Sequence, residues 1–428
     1  MQFLILFAQA HPTFRICELQ ALAELHGIEV DLTNHQEELP FMVVQLKNCD
    51  EARKLVERSI LTRAIYELYG TGSTIESLHA DIQQKAHNWE PYRTCSFKFD
   101  FESYNGSRSR DQQLKLIESF GYLNLNGPIR MKNPDEVFTV LEDYEETHGR
   151  KPAEFPRQIW LGRYICDGSR HLMDDYDLKK RKYIGTTSFD AELALVSCNI
   201  ALVDSGKWMY DPFAGTGSFL VAASHFGALS VGSDIDPRML RGKGDATIEA
   251  NFKQYNLYKY FVDVIGMDFT HNAFRPDLKL DAIVCDPPYG VREGLKVLGS
   301  KDPEKIKDKE PVKIDGVDAH LLRDYIFPKK PYQFNSLLDD LLQFGADRLV
   351  EKGRLCFWMP TANDDFVPND IPLHPDLELI GNCVQEFNKW SRRLLVYRRR
   401  KYGEKGDSYS VKGRSDEEFR DKYFRGFA

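Results

Sequence analysis

Four consecutive residues, Asp286-Pro287-Pro288-Tyr289, combine a carboxylate, free carbonyls and a flat aromatic ring directly after an apolar run, Asp281-Ala282-Ile283-Val284-Cys285. The run reads as a buried strand of a parallel sheet, and the prolines end it because neither has an N–H for a ladder. Ligands of open α/β sheets bind at the carboxyl ends of such strands. The chemistry that suits this position is the holding of a planar group bearing an exocyclic amine. The amine hydrogens go to the Asp286 carboxylate and the Pro287 carbonyl, the ring stacks on Tyr289, and the nitrogen lone pair faces an electrophile. Stacking of this kind contributes ~1–3 kcal/mol, enough to keep a base out of its helix but not to select which base. Asp-Pro and Pro-Gly pairs also punctuate ordinary turns. The upstream strands decide between the two readings.

Those strands end on acidic residues in succession. Trp208-Met209-Tyr210 leads into Asp211-Pro212-Phe213-Ala214-Gly215-Thr216-Gly217-Ser218 and then a helix pattern from Phe219 to Phe226. Gly215 and Gly217 let the backbone approach a nucleoside, and the helix start adds free N–H donors. The segment lacks the full dinucleotide fingerprint, so no pyrophosphate is implied. A second strand, Leu229 to Ser233, ends at Asp234-Ile235-Asp236, at the spacing at which an acidic residue accepts ribose hydroxyls. A third, Phe261 to Gly266, ends at Met267-Asp268, suited to an adenine amine, and the fourth ends at Asp286. Each aspartate alone reads as a turn former. Their order and placement together point to one site.

At 428 residues the chain is expected to hold two or three domains. Its 42% hydrophobic content argues for globular folds, and no apolar run reaches the ~18 residues of a membrane span. Eight cysteines stand singly, without metal-ligand spacing, which suggests reduced thiols in the cytosol or nucleus; the cytoplasm is the expected location. The net charge of −8 excludes a uniformly basic nucleic-acid binder but leaves room for local basic patches. Strands and helices alternate through residues 1–170, with no catalytic constellation, and His11, His26, His79 and His87 are isolated. A basic run, Lys179-Lys180-Arg181-Lys182, follows; it suits a solvated surface or, beside an RNA-binding unit, phosphate contact. Ser188 is the expected cap of a helix from Ala191 to Val203.

On the glycine-rich loop at 211–217, Asp234, Asp268 and the Asp-Pro-Pro-Tyr motif, residues 185–400 resemble class I S-adenosylmethionine-dependent methyltransferases of the amino-methylating group. With Arg181-Lys182-Tyr183-Ile184-Gly185-Thr186-Thr187-Ser188-Phe189-Asp190, Gly232-Ser233-Asp234-Ile235-Asp236 and the N-terminal half included, the whole chain resembles catalytic subunits of the THUMP-containing tRNA (guanine(10)-N2)-methyltransferase family. The resemblance implies an α/β, Rossmann-like methyltransferase domain at 185–400, preceded by a ferredoxin-like domain (1–69), a THUMP RNA-binding domain (70–170) and a linker (171–184), and followed by a polar tail (401–428). It implies methylation of a guanine N2 in tRNA, with Asp286, Pro287, Pro288 and Tyr289 at the reacting amine. The cofactor, released as S-adenosylhomocysteine, would be held by Thr187, Phe189, Asp211, Pro212, Phe213, Ala214, Gly215, Gly217, Asp234, Ile235, Asp268, Phe269 and Asp286. No metal is implied in this chain.

The resemblance further implies a small zinc-binding activator subunit that pairs along the sheet edge. The third strand of the class lies at that edge; here Tyr260, Phe261, Val262 and Val264 make it apolar and free of proline, which marks an uncovered edge as prone to association. The charged stretch 291–331 begins beside the motif and reads as a substrate loop or a surface excursion. An adenine N6 methyltransferase or related amine methylase also fits the motifs; a non-catalytic RNA-binding scaffold is the alternative of another class, and it has no need of the intact Asp286–Tyr289 turn or of the glycines. A Rossmann oxidoreductase fails for want of the dinucleotide fingerprint.

Overall fold

The computed structural model describes residues 1–147, 153–290, 295–300, 312–322, 325, 327–364 and 366–410. Its chain divides into two units, Met1–His171 and Leu172–Ala428.

In the first unit the strands are β1 (Gln2–Phe7), β2 (Phe41–Gln45), β3 (Thr62–Gly72), β4 (Phe97–Tyr104), β5 (Glu136–Asp143) and β6 (Gln158–Asp167). They form one sheet in the order β2-β1-β3-β6-β5-β4. Alternate residues of β1 serve opposite faces: Phe3, Ile5 and Phe7 join one apolar cluster, Leu4 and Leu6 another. The helices are α1 (Pro12–His26), α2 (Cys49–Val56), α3 (Ile75–Gln84) and α4 (Arg110–Ser119). Asn48, Thr74 and Ser109 cap the last three through their side-chain oxygens. Buried Glu18 of α1 accepts from Ser59 Oγ (2.7 Å), Ile60 N (2.9 Å) and Leu61 N (3.0 Å), tying that helix to the start of β3. The domain boundary expected at residues 69 and 70 falls inside β3. That strand pairs with β1 on one side and β6 on the other, so the sheet is continuous across the position. His79 is engaged by Tyr122 (2.7 Å) and Ser119 (3.0 Å), and the side chain of His87 lies outside the described residues.

The second unit opens with α5 (Leu172–Asp175) and α6 (Ala191–Ile200) and continues β7 (Trp208–Asp211), α7 (Ser218–His225), β8 (Leu229–Asp234), α8 (Pro237–Arg241), α9 (Ile248–Gln254), β9 (Phe261–Gly266) and β10 (Leu280–Cys285). The insertion follows, with β11 (Lys296–Leu298), β12 (Lys313–Ile314), β13 (Val317–Asp318) and β14 (Lys329–Pro331). The chain closes with α10 (Phe334–Arg348), β15 (Leu349–Ala362), β16 (Leu377–Glu386) and β17 (Trp390–Arg399). Seven strands form a sheet in the order β16-β17-β15-β10-β7-β8-β9. β9, β8, β7, β10 and β15 run parallel, while β17 is antiparallel to both β15 and β16. This is the doubly wound class I methyltransferase sheet that the motifs imply. The strand order reverses between β7 and β10, which opens the binding crevice at their carboxyl ends.

Both faces of the sheet are buried. Tyr210, Ile283, Leu355, Phe357 and Tyr397 meet α10 on one face. Trp358, fully buried on the other, packs on Phe189 at 5.1 Å and donates to Ser197 of α6 at 3.3 Å. One local expectation is corrected here. The cap of α6 is Asp190, which accepts from Leu193 N at 2.9 Å, rather than Ser188. Ser188 instead accepts from Gly185 N (2.8 Å) and bonds Thr216 (2.6 Å), fastening the chain before α6 to the glycine loop.

Candidate active site

The loop after β7 folds back on its own strand end. Asp211 is buried and accepts from Phe213 N at 2.9 Å; burial, with Asp234 and Asp286 nearby, holds its carboxyl well above the usual carboxylate range. Gly215 and Gly217 take φ values of +51° and +84°, in the left-handed region that a side chain disfavours. A Cβ on Gly215 would meet nothing nearer than Phe213 O at 3.9 Å, so the space above that turn stays open to a ligand. Asp234, at the end of β8, accepts from Gly215 N (3.0 Å) and Asp236 N (2.8 Å) and thereby locks two adjacent loops. Burial raises its carboxyl, opposed by those two N–H groups and by Lys329 of β14.

Beside this turn lies a cleft of about 360 Å³, its open mouth included, walled by Phe213, Ile235, Met267, Phe269 and Pro288. Flat apolar walls next to a ribose-level carboxylate and an open glycine turn fit the nucleoside of S-adenosylmethionine. Asp268 differs from expectation in one respect: its oxygens are already engaged. Oδ1 accepts from Thr270 N (2.9 Å) and Oδ2 from Leu298 N (2.7 Å). The insertion therefore does something the sequence did not suggest. β11 and β14 pair into a hairpin, and Lys296, Val297 and Tyr332 close the side of the cleft. Much of 291–331, including Val291 and Arg292 of the extended motif, lies outside the described residues.

Across the crevice Asp286 ends β10. Tyr289 donates its hydroxyl to Asp286 Oδ1 and meets Phe334 edge-on, at 6.2 Å between centroids. The ring expected to carry a base is thus held against the carboxylate by its own hydroxyl. Burial pushes the Asp286 carboxyl up to about 6, against the Tyr289 hydrogen bond and the Arg392 charge, with Asp190 adding to the rise. Burial and the Asp286 charge push the Tyr289 phenol well above its usual range. Phe189 is buried under Phe219 at 4.7 Å, beneath Arg392 at 4.8 Å, whereas Thr187 is exposed.

The comparisons with known proteins bear on both units. A Tmrp11 THUMP N-terminal domain family matches residues 1–170, and an RMKL-like methyltransferase domain family matches 179–300. The tRNA (guanine(10)-N(2))-methyltransferase of Saccharomyces cerevisiae is 51% identical over 432 residues, covering 100% of this chain and 99% of its own length. The chain belongs to the tRNA (guanine(10)-N(2))-methyltransferase family. Relatives of the same name in Schizosaccharomyces pombe (37% identity, 99% of this chain and 96% of theirs) and in Homo sapiens (34%, 99% and 95%) extend the likeness.

In this member of the tRNA (guanine(10)-N(2))-methyltransferase family, the basic run divides. Lys179, Lys180 and Lys182 are exposed. Arg181 is corrected as a surface residue: at 6% exposure it turns inward, donating to Ser218 Oγ at 3.1 Å and Tyr176 O at 3.3 Å. Its inward turn braces the first residue of α7, just after the glycine loop. β9 is the terminal strand, and Val262 and Ile265 are 42% and 37% exposed. Phe261 instead packs on Phe252 at 4.5 Å and Val264 is half-buried, while Tyr260 precedes the strand in a short turn. Among the described residues no group of three or more His, Cys, Asp or Glu is placed to hold a metal, and no helix is long and apolar enough to cross a membrane. All eight cysteines are free thiols.

Sequence reasoning passed over Arg392, Val297 and Tyr332. None has a local motif: Val297 and Tyr332 reach the cleft, and Arg392 the Phe189 ring, from separate strands or turns that only the folded sheet brings together.

Proposed function

We propose that this chain transfers a methyl group from S-adenosylmethionine to the N2 amine of guanosine 10 in tRNA. The observation that carries the reading is the half-buried Asp286-Pro287-Pro288-Tyr289 turn at the reversal point of a methyltransferase sheet, one strand from the open glycine turn. The cofactor, when bound, supplies an electrophilic methyl group on a positive sulfur and departs as S-adenosylhomocysteine. Asp234 and the 211–217 loop would hold its ribose side, and Phe213, Ile235, Phe269 and Pro288, which line the cleft, would enclose the adenine.

A guanine amine is barely basic, so orientation and charge do the work. Tyr289 leaves the Asp286 carboxylate and stacks on the base. Asp286 and the Pro287 carbonyl then accept hydrogen bonds from the two amine hydrogens, the carboxylate stabilises the positive charge that grows on nitrogen as it attacks, and the surplus proton of the methylated amine passes to that carboxylate and on to solvent. A stem base must first leave its stack, at a cost of a few kcal/mol, which makes a separate RNA grip useful. The Met1–His171 unit would supply that grip, and exposed Lys179, Lys180 and Lys182 of the second unit would contact phosphates. The reaction is placed in the cytoplasm.

The test is methyl transfer from labelled S-adenosylmethionine to unmodified tRNA, with and without a co-expressed activator subunit, followed by nucleoside analysis. N2-methylguanosine at position 10 is the expected product. N6-methyladenosine, or no transfer despite cofactor binding, would overturn the assignment.

A small zinc-binding activator is assigned to the free edge of β9. Val262→Asp with Ile265→Asp should abolish co-purification of that subunit, because two desolvated charges replace the exposed apolar positions of the strand. Pull-down before and after substitution measures it; undiminished recovery would rule the edge out.

The hairpin wall yields a separate expectation. Val297 is 4% exposed, so Val297→Asp puts a carboxylate into the apolar side of the cleft. Calorimetry should show cofactor affinity falling by about tenfold or more, the cost of burying an unpaired polar group. Wild-type affinity would place the hairpin outside the binding site.

A further inference from the structure

Asp268 follows β9 and lines the cleft, yet it is only 3% exposed, and its accepting capacity is taken up within the protein. Oδ1 accepts from Thr270 N at 2.9 Å and from Thr270 Oγ1 at 2.8 Å. Oδ2 accepts from Leu298 N at 2.7 Å, and His271 Nδ1 lies 3.3 Å from it. A carboxylate offers about four lone-pair positions, so little is left for a further donor. Thr270 and His271 are local neighbours. Leu298 is not: it stands 30 residues further on, in β11.

The bond to Leu298 fastens one side of the insertion hairpin. The other side is fastened on α10, where Tyr332 donates its N–H to Leu295 O at 2.9 Å and its hydroxyl to Asp340. Val297, between Leu295 and Leu298 in the chain, is 4% exposed and lines the cleft. Lys329 of β14 pairs with Leu298 in the ladder, and its charge favours the ionised forms of Asp234 and Asp236. The hairpin thus reaches from the loop after β9 to the loop after β8.

We propose that Asp268 is a positioning residue that latches the β11–β14 hairpin over the cofactor cleft and does not receive the adenine amine. The inference rests on the cofactor site read above and deepens it. To take up an adenine amine, Asp268 would have to release Leu298 N. One hydrogen bond would replace another, and the cleft would lose its side wall. The base is retained instead by apolar enclosure, which the latched hairpin completes. Asp268→Asn tests this with little change of shape: an amide has one accepting oxygen and cannot accept from both Thr270 N and Leu298 N. Leu298→Pro tests it from the other side by removing the donor.

Calorimetry on the full chain compares two ligands, S-adenosylhomocysteine and its analogue with hydrogen in place of the adenine amine. Wild type, Asp268→Asn and Leu298→Pro are titrated with each, and hydrogen exchange at the Leu298 amide reports the latch without a ligand. Asp268→Asn should speed that exchange by about tenfold or more and weaken both ligands by about tenfold, leaving the ratio of the two affinities as in wild type. Leu298→Pro should weaken both ligands in the same proportion.

A ratio that collapses in Asp268→Asn would overturn the proposal, because the carboxylate would then be the acceptor of the amine. Unchanged exchange at Leu298, or wild-type affinity in Leu298→Pro, would overturn it equally. If Asp268→Asn does not fold, Leu298→Pro decides by that criterion. Failure of the wild type to bind S-adenosylhomocysteine would instead sink the cofactor reading, while Leu298 exchange in Asp268→Asn would still judge the latch.

Discussion

Asp286→Ala should lower methyl transfer to tRNA by about 10²–10³-fold while leaving cofactor affinity within a few fold, since one preorganised group aimed at developing charge is worth that much. The carboxylate is half-buried just after β10, and its desolvation already raises it to about 6, so its removal relieves a desolvated charge rather than a packing contact. The substituted protein should therefore be at least as stable as the wild type, which separates a chemical role from a structural one. Asp286→Asn keeps an acceptor without the charge and should fall between. Single-turnover rates with labelled cofactor, paired with thermal denaturation, measure both quantities. An Asp286→Ala enzyme of near-wild-type rate would remove the motif from the mechanism.

Asp234→Ala should weaken cofactor binding by about 10²-fold, on hydrogen bonds to a charged group that contribute about 1.5–3 kcal/mol each. Its carboxylate is the acceptor for Gly215 N and Asp236 N, so substitution frees the glycine turn as well as removing the ribose acceptor. Asp236 provides the control two residues on. It caps α8 by accepting from Arg238 N at 3.0 Å and pairs with the Arg238 side chain at 2.6 Å, so Asp236→Ala should change affinity little. Calorimetric titration with S-adenosylhomocysteine distinguishes the two. Equal effects at both positions would mean that loop order, and not the ribose acceptor, governs binding.

Raising the pH from 5 to 7 should increase turnover, because the acceptor role of Asp286 requires its ionised form. Asp286 is protonated below about 6 and loses its acceptor function there; above that value it is ionised.

Most of the methyltransferase half was legible from residue order alone. Strand ends carrying Asp211, Asp234, Asp268 and Asp286 are local features: apolar runs of period-independent burial broken by proline, glycine or acid. Their succession implies the sheet that is observed. Asp190 was missed as a cap because Ser188, two residues earlier, has the same capping chemistry, and only the position of the first helical turn separates them. Arg181 looked like its lysine neighbours because a charge run carries no information about which side chain turns inward.

The sequence by itself determined the fold of the second unit and the four-residue turn at its centre, because both depend on short stretches of chain. Tertiary structure alone decided that β3 and β6 join residues 1–170 into one sheet, since pairing between distant strands leaves no periodic mark in either. It also decided that the hairpin of β11 and β14 walls the cleft beside Phe213 and Ile235, and that Arg392 lies over the Phe189 ring. Those three facts are long-range contacts, and a side chain's partner across a fold is not encoded in its neighbours along the chain.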